Sequence, residues 1–397
     1  MRHWLVALVC CAGILLAEKK AIRPPASATA GPYSAGVLTD KFLYVSGHVG
    51  PEPGGGFAPG DVKMQTRRCL ELVGKVLEEA GLDYRNVVST TLYLADIRTL
   101  DAADQAYREV FSAPMFPARV EIESQLLIPE ALVEVSAVAV RGDWRSAIYL
   151  KPEGWADPNR PISHGVLAAG TLFFSALRPV DPATGALAGN TIQEQTTRVM
   201  LNQESLLSAA GLTFADMAAS RIYLADSSYY TGLNDAYKKF VSAPPPARAT
   251  INAAPVEPGH LLQIQSVAVK GSGKDRPSGE GITSPIHSFS VKAGDTLYIT
   301  GMTGRAADGS FARNDIKAQT RQALKTIEEQ LTRHGLTFAD AVDAVVWLRD
   351  PRHAAAMNEV YRDVVKPNPP ARATVRLSPN TADGLIEIMI IAGKQEK

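Results

Sequence analysis

The chain contains three copies of one sequence pattern, and this internal repeat constrains its fold more than any other feature. A stretch that ends in a predicted strand occurs three times, as AGLDYRNVVSTTLYLAD from Ala80, AGLTFADMAASRIYLAD from Ala210 and HGLTFADAVDAVVWLRD from His334. Equivalent positions are separated by about 129 and then by about 124 residues along the whole repeat, which predicts three tandem domains.

The repeats set the domain boundaries. We place the first domain at residues 22–145, the second at 146–273 and the third at 274–397. The second boundary falls in a segment rich in glycine, serine and lysine, GSGKDRPSGEG from Gly271, which is typical of a linker. A chain of 397 residues is long enough for three domains that each bury a core of their own.

Each copy has the same predicted order of elements. A short apolar, β-branched run predicts a strand at Phe42–Ser46, Leu172–Ser175 and Leu297–Thr300. A helix follows, and in the first copy its apolar face consists of Val62, Cys69, Leu72, Val73, Val76 and Leu77, with Gly81 as its end. A second strand, a shorter helix and two more strands complete the unit. We therefore predict an α+β domain with two helices on one face of a sheet, whose edges its sibling domains cover.

The N-terminal segment has the features of an export signal. Arg2 and His3 precede an apolar run from Trp4 to Ala17, which is shorter than the roughly 20 residues that span a bilayer. We expect residues 1–21 to be a signal peptide and leader, cleaved near residue 17, and the protein to be exported to the periplasm or secreted. The alternative is an uncleaved membrane anchor; after cleavage we expect no stable membrane insertion.

Composition and charge narrow the possible partners. Hydrophobic residues make up 46% and charged residues 21% of the chain, as in globular domains, and the formal net charge is zero. No basic stretch suited to phosphate backbones occurs, so we expect no nucleic-acid partner. Histidine and cysteine do not show metal-ligand spacing, so we expect no metal. Cys69 remains after signal cleavage and is interpreted as a buried, inert thiol.

Several motifs of the first copy contain residues suited to binding and acid–base chemistry. They are GPYS from Gly31, VSG from Val45, the Pro-Ala-Arg motif that ends at Arg119, and LVEV around Glu134. The planar guanidinium of arginine suits bidentate capture of a carboxylate, and a nearby glutamate can orient or deprotonate water. On their own these signals are weak, because most arginine and glutamate residues are solvated or form salt bridges.

Taken in order along the chain, these motifs resemble those of the Rid (reactive-intermediate deaminase, YjgF-like) family. The resemblance includes the Gln-Thr pair of the helix, the strand that ends in Leu-Ala-Asp, and VEV followed by AVAV, and it covers nearly all of residues 22–397. It implies a chorismate-mutase-like fold and homotrimers with ligand clefts between subunits. Three copies in one chain then imply an intramolecular pseudo-trimer with three seams, formed by a monomeric chain.

The same resemblance implies a function. Deaminases of the Rid family hydrolyse enamines and imines of small carboxylates, such as 2-aminoacrylate, to 2-keto acids and ammonia without a metal or organic cofactor. We expect this reaction in clefts between the repeats. Two alternatives stay open: binding of small keto acids or other carboxylates without turnover, and a scaffold with vestigial pockets. Rid-like proteins have also been called ribonucleases, which the neutral charge argues against here.

The family's site residues can be carried over to the first copy, which is the best equipped of the three. Arg119 matches the carboxylate-binding arginine, and Glu134 matches the glutamate that handles water. The expected substrate-binding residues of this copy are Tyr33, Ser46, Gly47 and Asp104. Asp104 departs from the family pattern, which has asparagine at that position.

The other two copies depart from the pattern more often. The second copy keeps the substrate-binding residues Ser175, Asn234 and Arg248. Its departures are Ile162 at the tyrosine position, Ala176 at the glycine position and Gln263 at the glutamate position. Because a neutral glutamine cannot act as a general base, we expect this copy to be impaired.

The third copy keeps both residues of the catalytic pair, Arg372 and Glu387, with Thr300 and Asn358 as substrate-binding residues. His287 occupies the tyrosine position, where it either hydrogen-bonds a ligand or stays idle at the rim. In the implied mechanism, the arginine of the first or third copy holds the substrate carboxylate while the glutamate holds the attacking water. The sequence leaves open which repeats share a cleft.

Overall fold

The computed structural model describes residues 19–24, 31–241, 244–271 and 284–393, so the expected signal peptide and most of the second linker lie outside the described residues. Repeat 1 contains the helices α1 (Val62–Glu79) and α2 (Leu100–Val110). Its strands are β1 (Lys20–Ile22), β2 (Gly36–Leu38), β3 (Phe42–Val49), β4 (Val87–Leu94), β5 (Ala118–Glu123) and β6 (Val133–Val140). They form a sheet in the order β1-β2-β3-β6-β4-β5, in which only β4 and β5 are parallel.

Repeat 2 has the same core arrangement, with helices α3 (Ile192–Ala209) and α4 (Tyr230–Tyr237). Its strands are β7 (Ile148–Leu150), β8 (Gly165–Ala168), β9 (Thr171–Phe174), β10 (Met217–Leu224), β11 (Ala247–Asn252) and β12 (Leu262–Val269). Repeat 3 contains α5 (Ile316–Arg333) and α6 (Ala354–Val364). Its strands are β13 (Ser290–Ala293), β14 (Thr296–Thr303), β15 (Ala341–Leu348), β16 (Ala371–Arg376), β17 (Ser378–Pro379) and β18 (Ile386–Gly393).

The second sheet has the order β17-β11-β10-β12-β9-β8-β7, so it includes one short strand that repeat 3 contributes. The third sheet has the order β13-β14-β18-β15-β16. In each sheet one pair of strands is parallel and the other neighbours are antiparallel. The α+β class predicted from the sequence is therefore confirmed.

The predicted elements differ from the observed ones mainly at their ends. β3 and β14 continue three residues beyond the predicted strands, through the Ser-Gly and Thr-Gly pairs, whereas β9 ends at Phe174. Helix α1 begins after Asp61, whose side chain accepts a hydrogen bond from the Met64 N–H and so caps the helix. Leu72 is only half-buried, and Leu70 is buried instead.

Each sheet buries both of its faces. In β3, Leu43 and Val45 pack under the helices of repeat 1, while Phe42 and Tyr44 point to a cluster that all three repeats share. This alternation follows from the two-residue period of a strand. The shared cluster surrounds a cavity of about 60 Å³, which contains an Arg221–Asp343 ion pair at 3.8 Å. The three sheets therefore face one another, and the helices lie outside.

Three equivalent seams join the repeats in a cycle. The backbone N–H of Arg372 donates to Ser46 Oγ at 2.8 Å, which links repeat 3 to repeat 1. The N–H of Arg119 donates to Ser175 Oγ at 2.8 Å, which links repeat 1 to repeat 2. The N–H of Arg248 donates to Thr300 Oγ1 at 2.6 Å and links repeat 2 to repeat 3. We call these seams 3/1, 1/2 and 2/3.

Within the described ranges, none of the helices combines the length and the apolar character that crossing a membrane would require. The buried thiol expected from the sequence is also found, because Cys69 has no exposed surface and lies in the helix-side core of repeat 1.

Candidate functional site

The functional pairs form between repeats and not within them. Burial raises the pKa of Glu134 of repeat 1, and Arg372 of repeat 3 opposes that rise; Arg248 of repeat 2 has the same opposing effect on Glu387 of repeat 3. Arg119 lies at seam 1/2 and has Gln263, not a glutamate, across that seam. The first copy is therefore not a complete site by itself, because its arginine and its glutamate lie in different seams.

The cleft at seam 3/1 holds a buried guanidinium. Arg372 Nη2 donates to Asn358 Oδ1 at 2.8 Å, and the Arg372 guanidinium lies 5.1 Å from the ring centre of Tyr33. The ring of Tyr361 is 4.7 Å away. These cation–π contacts hold the guanidinium in one place. Its Nε and Nη1 have no hydrogen-bonding partner among the described residues, so the N–H groups of these two nitrogens remain for a ligand.

The Glu134 carboxyl lies in the same cleft and is buried. Burial raises its pKa to about 8, while Arg372 and the backbone N–H of Thr374 pull the pKa in the opposite direction. Gly47 makes this position possible, because a Cβ atom there would lie 1.8 Å from Glu134 Oε1. The site contains both a buried cation with unpaired donor nitrogens and a carboxyl whose pKa is about 8.

The cleft at seam 2/3 repeats this arrangement. Arg248 Nη2 donates to Asn234 Oδ1 at 2.9 Å, and its Nη1 has no partner among the described residues. Burial raises the pKa of Glu387 to about 8, against the opposing effects of Arg248 and the Thr250 backbone N–H. A Cβ atom on Gly301 would lie 1.9 Å from Glu387 Oε1, so glycine is again required.

This second cleft opens into a cavity of about 120 Å³, large enough for a small carboxylic acid. Its wall includes Tyr230, His287, Asn380 and Thr381. Burial, with Arg248 nearby, lowers the pKa of His287 to about 4, so its imidazole is neutral at pH 7. Asn380 and Thr381 are not among the site residues predicted from the sequence. A comparison of the repeats could have identified them, because two polar residues stand where repeat 1 has Leu127 and Ile128.

Seam 1/2 is different, because acidic side chains of repeat 1 form ion pairs with its arginine. Arg119 Nε and Nη2 donate to Glu121 Oε1 at 3.0 and 2.9 Å, and Nη2 also donates to Asp104 Oδ1 at 2.7 Å. Burial tends to raise the pKa of Glu121, but Arg119 and then Arg178 outweigh it, and the net pKa is below the usual value. Arg160 binds the second oxygen of Asp104 at 2.9 Å.

This network corrects two expectations. Arg119 is fully buried, and Glu121 and Asp104 already balance its charge, so it is not placed to hold a substrate carboxylate even though its Nη1 has no hydrogen-bonding partner among the described residues. Asp104 acts as an ion-pair partner and not as the amide acceptor that Asn234 and Asn358 provide in the other seams. The difference arises at Glu121, since the equivalent positions in repeats 2 and 3 are Thr250 and Thr374.

The departures of repeat 2 are found together at this seam. Ala176 and Gln263 are both buried, and Gln263 Nε2 donates to the Glu121 backbone carbonyl at 2.8 Å. At the other seams a glycine leaves room for the glutamate, and repeat 2 has Ala176 in place of that glycine. Ser175 keeps its contact with the Arg119 N–H, so the seam retains its backbone geometry without the acid–base group.

No cluster of three or more histidine, cysteine, aspartate or glutamate side chains arranged to hold a metal ion occurs among the residues that the structure describes.

Comparisons with known proteins agree with the repeat and the fold. The endoribonuclease L-PSP family model matches three segments, 23–141, 156–270 and 283–394. A curated goat (Capra hircus) protein, 2-iminobutanoate/2-iminopropanoate deaminase, is 38% identical over 123 residues, which are 31% of this chain and 89% of that protein. The human protein of the same name is 36% identical over 118 residues, 30% of this chain and 85% of that protein. A chorismatase crystal structure aligns over 88% of this chain and 99% of its own with a TM-score of 0.52; at 14% identity it shows a likeness of fold alone.

Proposed function

Because the chain belongs to the endoribonuclease L-PSP family, we propose that it hydrolyses imines and enamines of small carboxylates to 2-keto acids and ammonia in clefts 3/1 and 2/3. One observation carries the proposal: each cleft combines a buried arginine that has unpaired donors with a buried glutamate whose pKa is about 8. The deaminase names of the goat and human relatives support the reaction type. We also propose that the chain acts as a monomer, since all three seams form within it.

Substrate binding is the first step. The substrate carboxylate accepts hydrogen bonds from the free N–H groups of Arg372 in cleft 3/1 or of Arg248 in cleft 2/3. Burial makes this charge-assisted interaction stronger than it would be at the surface. The bound carboxylate also neutralises the arginine, which removes the effect that lowers the glutamate pKa. Binding therefore favours the protonated form of Glu134 or Glu387.

Proton transfer from that carboxyl converts the enamine to an iminium. For 2-aminoacrylate, the glutamic acid gives its proton to the methylene carbon, and the C=C electron pair forms the new C–H bond while the nitrogen lone pair forms C=N. The product is the iminium of pyruvate next to an ionised glutamate. A group with a pKa near the working pH is suited to both donating and accepting a proton.

Water then completes the hydrolysis. Its oxygen attacks the imine carbon, the C=N electron pair moves to nitrogen, and the glutamate takes a proton from the water. The glutamic acid returns that proton to the nitrogen, the C–N bond breaks with its electron pair leaving on ammonia, and the C=O bond forms as the glutamate takes the hydroxyl proton. The sum is one imine and one water converted to one 2-keto acid and one ammonia, with the glutamate regenerated.

The test uses the full chain with 2-aminoacrylate and 2-iminobutanoate generated in situ, and it follows the release of keto acid. We expect Arg372→Ala and Arg248→Ala each to lose part of the activity, and the double variant to lose all of the enzymatic rate. Arg67→Ala is the matched control, because Arg67 forms a partly exposed surface ion pair with Glu109 far from either pair of site residues.

Two results would contradict the proposal. In the first, the wild type would give no turnover, 2-keto acids would raise its unfolding temperature, and the arginine variants would lose this stabilisation; the clefts would then bind carboxylates without catalysis. In the second, neither turnover nor stabilisation would occur, and the repeats would then form a scaffold.

A further inference from the structure

The two proposed clefts differ in the side chains that surround the substrate position. In repeat 1, Leu127 packs against the helix-side core of repeat 3 at seam 3/1. In repeat 3, the equivalent residue is Asn380, which lines the cavity of cleft 2/3. The next position changes in the same way, from Ile128 to Thr381. One cleft therefore has an apolar segment where the other has two polar side chains.

Asn380 has an unused hydrogen-bonding group. Its Oδ1 atom is buried and has no hydrogen-bonding partner among the described residues. A buried acceptor without a donor is destabilising, so a ligand that supplies the donor recovers that free energy. An aliphatic group in the same place would leave the acceptor unsatisfied.

His287 adds a second polar group to the wall of this cavity. It occupies the position of Tyr33 in cleft 3/1, where the tyrosine ring lies against the arginine. The His287 imidazole makes no hydrogen bond to any described side chain or backbone group, and its lowered pKa keeps it neutral. A neutral imidazole offers one donor and one acceptor. The cavity thus presents both kinds of hydrogen-bonding group beside the arginine and the glutamate.

We propose that cleft 2/3 selects 2-imino acids whose short side chain ends in a hydrogen-bonding group, such as an amide, whereas cleft 3/1 selects short aliphatic side chains. This inference rests on the proposed function of the same clefts. A pocket built to hydrogen-bond a substrate discriminates strongly against the analogue that lacks the group, because its own buried polar atoms are then left unpaired. Asn380 is the specificity-determining residue.

The test isolates one cleft at a time in the full chain. Arg372→Ala leaves cleft 2/3 intact, and Arg248→Ala leaves cleft 3/1 intact. An amino-acid oxidase generates the imines of asparagine and of 2-aminobutyrate in situ. We expect the ratio of kcat/KM for the asparagine-derived imine to that for 2-iminobutanoate to be at least about tenfold higher in the Arg372→Ala protein than in the Arg248→Ala protein.

The matched substitution is Asn380→Leu, which copies the residue of repeat 1. In the Arg372→Ala background we expect it to lower that ratio about tenfold. His287→Phe provides a second test of the same cavity if Asn380→Leu impairs folding, and it should lower the ratio as well. Equal ratios in the two arginine backgrounds, or a ratio that neither substitution changes, would overturn the inference.

A binding measurement separates this inference from the proposed function. The keto acids 2-oxosuccinamate and 2-oxobutanoate are added to the Arg372→Ala protein, and the shift in unfolding temperature is recorded with and without Asn380→Leu. In one outcome turnover is absent, 2-oxosuccinamate stabilises the protein more than 2-oxobutanoate does, and Asn380→Leu removes this difference. The proposed reaction is then wrong, and the proposed selectivity holds. If turnover occurs with no such difference in rate or binding, the selectivity is wrong and the reaction holds.

Discussion

Glu134 and Glu387 occupy equivalent positions in repeats 1 and 3, and burial raises the pKa of each carboxyl to about 8. An unfolded chain would release the same proton near the ordinary glutamate value of 4.5. Between these two values the native state holds a proton that the unfolded state has lost. Each group therefore lowers the free energy of unfolding as the pH rises through this window, and its stabilising effect is complete only below the lower value.

The first prediction at this scale concerns Glu134→Gln. Glutamine keeps the shape and has no proton to lose, so the variant should gain stability relative to the wild type as the pH rises. We expect the difference in unfolding free energy to shift by about 2–4 kcal/mol in favour of the variant between pH 5 and pH 8. Denaturant unfolding at the two pH values measures it.

The control for that experiment is Glu109→Gln, which changes an exposed carboxylate paired with Arg67. The difference in unfolding free energy between this variant and the wild type should vary little between pH 5 and pH 8. A Glu134→Gln difference that is the same at pH 5 and pH 8 would show that burial does not raise the pKa of Glu134.

Strands β3 and β14 share one irregular feature that creates the sites. Each contains a β-bulge, between Val45 and His48 in β3 and between Ile299 and Met302 in β14. The extra residue of a bulge changes the direction of the strand and its side chains. In both strands the glycine within the bulge lies directly under a glutamate carboxyl. Repeat 2 has Ala176 at this place, and its strand β9 ends before it.

The prediction for these elements is that Gly47→Ala inactivates cleft 3/1 without unfolding the domain. The new Cβ would displace the Glu134 carboxyl, which is the end of a flexible side chain, while the backbone can accept alanine because Gly47 does not have a positive φ. We expect at least about a hundredfold lower imine turnover in the Arg248→Ala background, the usual effect of losing an acid–base group.

Gly54→Ala serves as the control, because nothing lies within 4 Å of the added Cβ at that position. It should leave turnover unchanged. If Gly47→Ala retains the activity of its background, Glu134 is not the acid–base group.

The three homologous seams of the molecule are of two kinds, which differ in the acidic groups around the arginine. In seams 3/1 and 2/3 the arginine lies near a buried glutamate whose pKa is raised, whereas in seam 1/2 Glu121 and Asp104 neutralise the arginine. A buried ion pair adds little stability compared with an apolar replacement, but removal of one partner leaves a buried charge without compensation. Seam 1/2 is thus the structural seam of the cycle.

The prediction at this scale is that Glu121→Thr, which copies the residue of repeats 2 and 3, destabilises the protein by about 3 kcal/mol. Asp104 remains as the second partner of Arg119, so the loss of unfolding free energy should not be larger than this. Denaturant unfolding measures the effect. Imine turnover should persist at temperatures where the variant is folded, because neither proposed cleft contains Glu121.

Glu109→Thr removes an exposed ion-pair partner and should change the stability little, because solvent screens such a pair. A Glu121→Thr protein that is as stable as this control would show that the buried network does not hold seam 1/2 together.

The sequence by itself determined the number of domains, the order of their elements and the residue types of the sites. These properties depend on local periodicity and on the repetition of motifs, which can be read along the chain. Gly47 and Glu134 are an example, since the sequence motifs identify both as site residues and the structure brings the two into contact.

Only the tertiary structure decided which residues share a site. Electrostatic interactions and burial act between groups that are close in space, so Arg372 meets Glu134 although the two belong to the last and the first repeat. The sequence predicts Arg119, like Arg372, to bind a carboxylate, yet Glu121, two positions away on the same strand, accepts hydrogen bonds from the Arg119 guanidinium. The repeats specified three similar seams, and their packing placed two carboxylates against the arginine of one seam and a titratable carboxyl near the arginine of each of the other two.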